Sequence, residues 1–176
     1  MYYLATAVII ALICTAANLL LTFGVIRKLR EHDSLLTGSA SLRSDATAPA
    51  GATVSAVTAT TVDGLTVSSR PTGSTLLVGF FSPGCEPCEE RIPEFIRYHE
   101  RTGVEALAIV VGDEAEGRSH LTNLAGHVDV VVEPRDGTFA TAFQVTSYPA
   151  LCLVDPAGVV LAGGNTFDDL PALTPA

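Results

Sequence analysis

The chain has 176 residues, room for one compact domain and an appendage but not for two full domains. Ten Lys and Arg stand against nineteen Asp and Glu, a formal net charge of -9, so the basic footprint that a polyanion partner requires is missing and nucleic acid is excluded. Charged residues are only 16% of the total, too few for wholesale disorder, and four cysteines are too few for a disulfide scaffold.

Residues 1–26 contain no Asp, Glu, Lys, Arg or His. As a helix at about 1.5 Å per residue, the apolar run 4–26 would measure roughly 34 Å, which fits a hydrocarbon core of about 30 Å with slight tilt. Tyr2 and Tyr3 stand where an interfacial aromatic belt belongs, and Arg27, Lys28 and Arg30 close the other end. A cleavable signal peptide would need a basic n-region and a shorter apolar run, and a lipoprotein signal would need a small residue where Ile13 precedes Cys14. Residues 1–30 therefore read as a single transmembrane anchor, in contact with the lipid bilayer through 4–26. Residues 31–51 are small and polar with no periodic apolar face, and read as a flexible tether unable to offset its ordering entropy. From residue 51 onward there are six Arg and sixteen Asp and Glu, a charge that keeps the domain soluble and off an anionic bilayer surface.

The globular part, 52–176, alternates strand and helix signals. Residues 59–62 and 65–67 flank Asp63-Gly64 and predict a hairpin, because Asp-Gly supplies the positive φ of a tight turn. The apolar run 75–81 predicts a buried strand. Residues 86–101 predict a helix with Ile92, Phe95, Ile96 and His99 on one face. A strand over 106–111, a helix over 118–125, a strand over 128–132 and a short helix over 138–143 follow. Strands 150–154 and 159–162 flank the turn Asp155-Pro-Ala-Gly158 and predict a second hairpin. Strands separated by helices imply parallel crossovers and the hairpins add antiparallel edges, so the fold class is α/β with a mixed central sheet flanked by helices.

The chemistry concentrates at Ser82-Pro-Gly-Cys85-Glu-Pro-Cys88. A buried strand ends, a Pro-Gly turn follows, and a Cys-x-x-Cys opens a helix. There the unpaired N–H groups and the helix dipole favour a thiolate at the first cysteine, and the second stands one turn deeper, able to close a disulfide. Pro87 loses nothing in a first helical turn. Half of a zinc site is one alternative, but His99, His120, His127 and the single Cys152 do not supply the spacing of a second half. A structural disulfide is another, although so short a loop stabilises little. Cys152 reads as core, three residues past Pro149, and His120 and His127 as surface or helix-end residues.

These residues resemble the thioredoxin-like superfamily, specifically membrane-anchored TlpA-type thiol-disulfide reductases, over roughly residues 53–165. Residues 58–67 look like the N-terminal hairpin that these proteins add. Cys85-Glu-Pro-Cys88 resembles the motif of some cytochrome c maturation reductases, Pro93 matches the proline that kinks the active-site helix, and Val145-Thr-Ser-Tyr148-Pro149 resembles the loop with the family's cis-proline. The layout of anchor, Arg-rich exit, tether and domain is also similar to the thioredoxin-like protein of methylamine-utilisation clusters. The resemblance implies that Cys85 is the attacking thiolate and Cys88 the resolving thiol. It implies that Pro149 lies against the pair, with Tyr148 before it free to bind a substrate strand. No cofactor beyond the redox-active Cys85–Cys88 disulfide and no metal is implied.

The chain also departs from the family. Gly84 replaces the usual Trp before the first cysteine, and Gly79 stands where many thioredoxins bury an Asp that deprotonates the resolving thiol. Glu86 and Glu89 are candidates for that work by position, although exposed helix-face carboxylates are the alternative reading. Glu86 and Pro87 between the cysteines are the redox-tuning residues. Glu86, Glu89 and Glu90 should raise the pKa of Cys85 against the helix dipole, which predicts a reductant rather than a disulfide-forming oxidase. A peroxiredoxin-like peroxidase would need Pro where Val78 stands, although Ser82 fits its second requirement. A non-catalytic binding module would not require the Cys pair. The expected partners are a disulfide-bearing protein substrate and a membrane electron donor. The basic exit of the anchor favours a cytoplasmic domain by the positive-inside rule, and the family resemblance, weighted more, an extracytoplasmic one.

Overall fold

A strand that is apolar along its whole length has to be covered on both faces, and Leu76–Phe81 (β3), with all six residues buried, is such a strand in the computed structural model. The structure describes residues 3, 15, 46–71, 73–113 and 115–171. Apart from Tyr3 and Thr15 these belong to one unit, Leu42–Ala176. Among the described residues no helix is long and apolar enough to cross a membrane, and the expected anchor over 4–26 lies, but for Thr15, outside them.

Five strands make the main sheet: β3, β4 (Glu105–Val111), β5 (Asp129–Glu133), β6 (Ala150–Val154) and β7 (Val160–Gly164), in the order β5-β4-β3-β6-β7. β3 and β4 pair in parallel, as do β4 and β5, while β6 runs antiparallel to both β3 and β7. The separate hairpin of β1 (Thr58–Thr60) and β2 (Thr66–Ser68) forms a two-stranded sheet. Its loop is wider than the expected two-residue turn. Thr61 closes it, its Oγ1 accepting from Leu65 N at 3.0 Å and its N–H donating to Leu65 O at 2.8 Å, and Val62 N reaches across to Val130 O at 2.9 Å.

Successive side chains of a strand face opposite ways, so the sheet carries two cores. Leu76, Val78 and Phe80 join Leu107, Ile109, Phe139 and Phe143 on one face, while Leu77 and Phe81 join Ala108, Val110, Cys88, Ile92 and Phe95 on the other. The connections β3–α1–β4 and β4–α2–β5 step the same way across the sheet. Right-handed crossovers then put α1 (Glu86–Thr102) and α2 (Arg118–Leu124) side by side on the second face. The short α3 (Thr138–Ala142) contributes Phe139 and Ala140 to the first face. Helix α1 buries Cys88, Ile92, Phe95, Tyr98 and Thr102, spaced by three and four. The inward residue of its last turns is thus Tyr98 rather than the expected His99, whose Nδ1 meets Val104 O at 2.6 Å.

One stretch of the expected tether behaves otherwise than its composition suggested. Ala46, Thr47 and Ala48 are buried. Ala48 N donates to Phe143 O at 2.7 Å, Thr146 N to Ala46 O at 3.0 Å and Gly51 N to Val160 O at 2.8 Å. Small residues carry no apolar periodicity, yet they can pack closely against the sheet and the connection between α3 and β6 where larger ones would not fit. A Cβ on Gly163 would collide with the Thr47 hydroxyl.

Candidate active site

Beyond Phe81 the chain turns through Ser82, Pro83 and Gly84, and Cys85 N donates to Ser82 O at 3.3 Å. Gly84 has φ +72°, a left-handed conformation that a Trp at this position would adopt only at a cost. Cys85 is the N-cap of α1: its backbone is extended and its Sγ accepts from Cys88 N at 3.2 Å. Pro87 falls in the first turn, where its missing N–H has no partner to lose. Cys85 and Cys88 are joined by a disulfide with their Cα atoms 5.2 Å apart. Cys85 is half-buried and Cys88 fully buried at 0% exposure, so Cys85 is the sulfur that a partner can reach.

The surroundings of the pair are apolar beneath and acidic outside. A Cβ on Gly79 would stand 2.6 Å from a ring carbon of Phe95 and 2.8 Å from one of Phe81. The space that a buried Asp would need is thus filled by two rings packed edge to face, 5.5 Å between centroids. Glu86, Glu89 and Glu90 are exposed. Pro93, inside α1, cannot return a helical hydrogen bond to the Glu89 carbonyl.

The second loop of the site comes from across the sheet. The register pairs Phe80 with Ala150, so the end of β3 and the start of β6 are neighbours, and the Cys turn and the 144–149 loop emerge at the same end. The Tyr148–Pro149 peptide is cis. Asn165 Nδ2 holds this loop, donating to Pro149 O at 2.8 Å and Ser147 Oγ at 3.1 Å. Tyr148 itself bonds to nothing in the protein among the described residues, and packs against both cores. Burial raises the pKa of its hydroxyl, Arg135 pulls it back, and Glu133 and Asp136 push it further.

Sequence reading missed three groups here. Asn165 lies sixteen residues past Pro149 and only the β6–β7 pairing brings it back. Glu133 ends β5 buried and caps α3, its two oxygens accepting from Phe139 N at 3.0 Å and Ala140 N at 2.7 Å. The signal was available, since Gly137 is the N-cap and leaves the cap to another side chain. His120, expected at the surface, is buried at 1% exposure because, with Leu124, it lies on the inward face of α2. Burial holds its pKa below the ordinary value and Glu89 pulls the other way. His127 does lie exposed, 3.5 Å from Glu100. Cys152 pairs with Val78 on the face away from Cys88, and burial pushes its thiol up to about 12, which takes it out of exchange chemistry. Among the described residues no cluster of His, Cys, Asp or Glu could hold a metal.

No protein-family model matches the sequence. No curated protein matches it either. Solved structures do match. The thioredoxin domain of a thiol-disulfide oxidoreductase from Bacteroides vulgatus superposes with a TM-score of 0.58 at 21% identity, covering 70% of this chain and 93% of that one. A thiol-disulfide oxidoreductase from Bacteroides fragilis gives 0.59 at 18% identity, over 68% and 94% of the two chains. The pneumococcal exposed lipoprotein thioredoxin from Streptococcus pneumoniae gives 0.56 at 21%, over 66% and 95%. With its mixed five-stranded sheet and a Cys-x-x-Cys opening the helix after the central strand, the domain has the thioredoxin-like fold.

Proposed function

We propose that this chain is a membrane-anchored thiol-disulfide oxidoreductase that reduces disulfides in partner proteins. The observation that carries the reading is the asymmetry of the pair: Cys85 half-exposed at a helix N-terminus, Cys88 fully buried one turn in. In the reduced state the amide that now points at Cys85 Sγ would stabilise a thiolate there. That thiolate attacks a partner disulfide, and Cys88 then displaces the reduced partner. The backbone of Tyr148, unpaired among the described residues, offers the partner strand its hydrogen bonds, and Asn165 keeps that loop in place. Glu86, Glu89 and Glu90 stand exposed in the first turns of α1, an acidic rim that supports the reading of a reductant rather than a disulfide-forming oxidase. A membrane electron donor would re-reduce the pair. The apolar segment 4–26 supports anchoring, and the likeness to an exposed lipoprotein thioredoxin supports an extracytoplasmic domain.

The test is the midpoint potential of the Cys85–Cys88 couple, with Cys88→Ser as a trap for mixed disulfides. A potential around -270 mV and a trapped partner on Cys85 are expected. A potential near -120 mV would overturn the reductase reading in favour of a disulfide-forming oxidase.

A further inference from the structure

Cys88 is buried among apolar side chains, and the place where a carboxylate could take its proton is closed by Phe95 and Phe81. A buried thiol so placed resists ionisation, yet it must become a thiolate to resolve a mixed disulfide. His120 is buried too, and its Nε2 has no hydrogen-bond partner among the described residues. Its Nδ1 lies 3.2 Å from Ser119 Oγ. With Nδ1–H donating to that hydroxyl, Nε2 keeps its lone pair free.

The fold sets these two groups at one level. β3 and β4 are parallel, so α1 and α2 both start at the same end of the sheet and lie on the same face. Cys88 is the third residue of α1 and His120 the third of α2. The start of α2 abuts the Cys turn: a Cβ on Gly117, its N-cap, would stand 3.9 Å from Pro83 Cγ. Glu89, the neighbour of Cys88, is the charged group on α1 that acts on the imidazole. Its own helix offers Arg118, exposed, and the loop before it Asp113 and Glu116, also exposed. The strands beneath present only apolar side chains on this face, Ala108 and Val110 from β4 and Val130 from β5.

We propose that His120 is the proton acceptor for Cys88 in the resolving half of the exchange, an inference that rests on the reductase reading above. In the mixed disulfide, Nε2 takes the Cys88 thiol proton. The thiolate electron pair forms the Cys85–Cys88 bond, and the Cys85–partner bond breaks with its pair leaving on the partner sulfur, which solvent protonates. The partner is reduced by two electrons and the Cys pair oxidised. The imidazolium gives its proton back to the Cys88 thiolate when the pair is next reduced.

The experiment follows the Cys85–glutathione mixed disulfide, made from the reduced full chain and glutathione disulfide, by acid quench and mass spectrometry between pH 5 and 9. Wild type, His120→Gln and His120→Phe are compared. In both variants the mixed disulfide should form at the wild-type rate and resolve about 100-fold more slowly at pH 7, the lower end of what a general base supplies. Resolution in the variants should keep rising with pH, whereas in wild type it levels off once the imidazole is neutral. A wild-type lifetime and pH profile in both variants would overturn the proposal. If the variants do not fold, NMR titration of His120 in reduced wild type and Cys88→Ser decides: different midpoints support the coupling and identical ones overturn it. A wild-type protein that forms no mixed disulfide overturns the reductase reading and this role with it.

Discussion

Gly79 is where the apolar packing under the disulfide can be tested most directly. Replacing it with Ala adds one methyl group at 2.6 Å from Phe95 Cε2, 2.8 Å from Phe81 Cε2 and 2.9 Å from Phe81 Cζ, against an ordinary carbon contact of about 3.5–4.0 Å. Both rings are completely buried and are packed edge to face on each other, so neither can swing into open space. Overpacking of this kind costs about 1–3 kcal/mol, and the chain-entropy gain of Gly→Ala returns about 0.4–1 kcal/mol. The expected net loss lies between about 0 and 2.6 kcal/mol, centred on about 1 kcal/mol. It should be read as a lowered urea midpoint of the oxidised protein with an unchanged slope. Phe95→Leu takes away the nearest ring atom, so in that background Gly79→Ala should cost about 1 kcal/mol less. A double-mutant cycle without coupling between Gly79→Ala and Phe95→Leu would refute the claim that these rings close the space.

Glu133→Gln keeps the side-chain shape but trades one carboxylate acceptor for a donor facing the N–H groups of Phe139 and Ala140, and should cost about 1–3 kcal/mol in the same denaturation assay. Asn165→Ala removes both bonds that hold the Ser147–Pro149 segment; stability should fall by about 1 kcal/mol and the rate of protein-disulfide reduction should fall with it, while the Cys85–Cys88 potential stays unchanged. Cys152, with its thiol pKa at about 12, should resist iodoacetamide at pH 8 in the native reduced protein and react only in denaturant, as peptide mapping would show. Labelling of Cys152 at the rate of Cys85 would contradict its burial.

The order of strands and helices, the Cys turn at the end of a buried strand and the proline loop before β6 were all legible in the sequence. Each is written in neighbours along the chain: an unbroken apolar run, a Pro-Gly turn, a Cys-x-x-Cys at a helix start, a Pro just before a strand. What sequence could not carry are relations between distant residues. Gly79 marks a missing Asp in the sequence, but only the packing of β3 against α1 puts two aromatic rings in its place. Asn165 reaches Pro149, and Glu133 the start of α3, through turns that bring the chain back on itself. Residues 46–48 have the composition of a tether and are buried because they pack closely against the sheet and the connection between α3 and β6. His120 has nothing in its local sequence to distinguish it from an exposed histidine; the packing of α2 onto the sheet buries it. Local chemistry thus determined which residues could react, and tertiary packing decided what surrounds them, because burial and hydrogen bonding arise between segments that the chain separates.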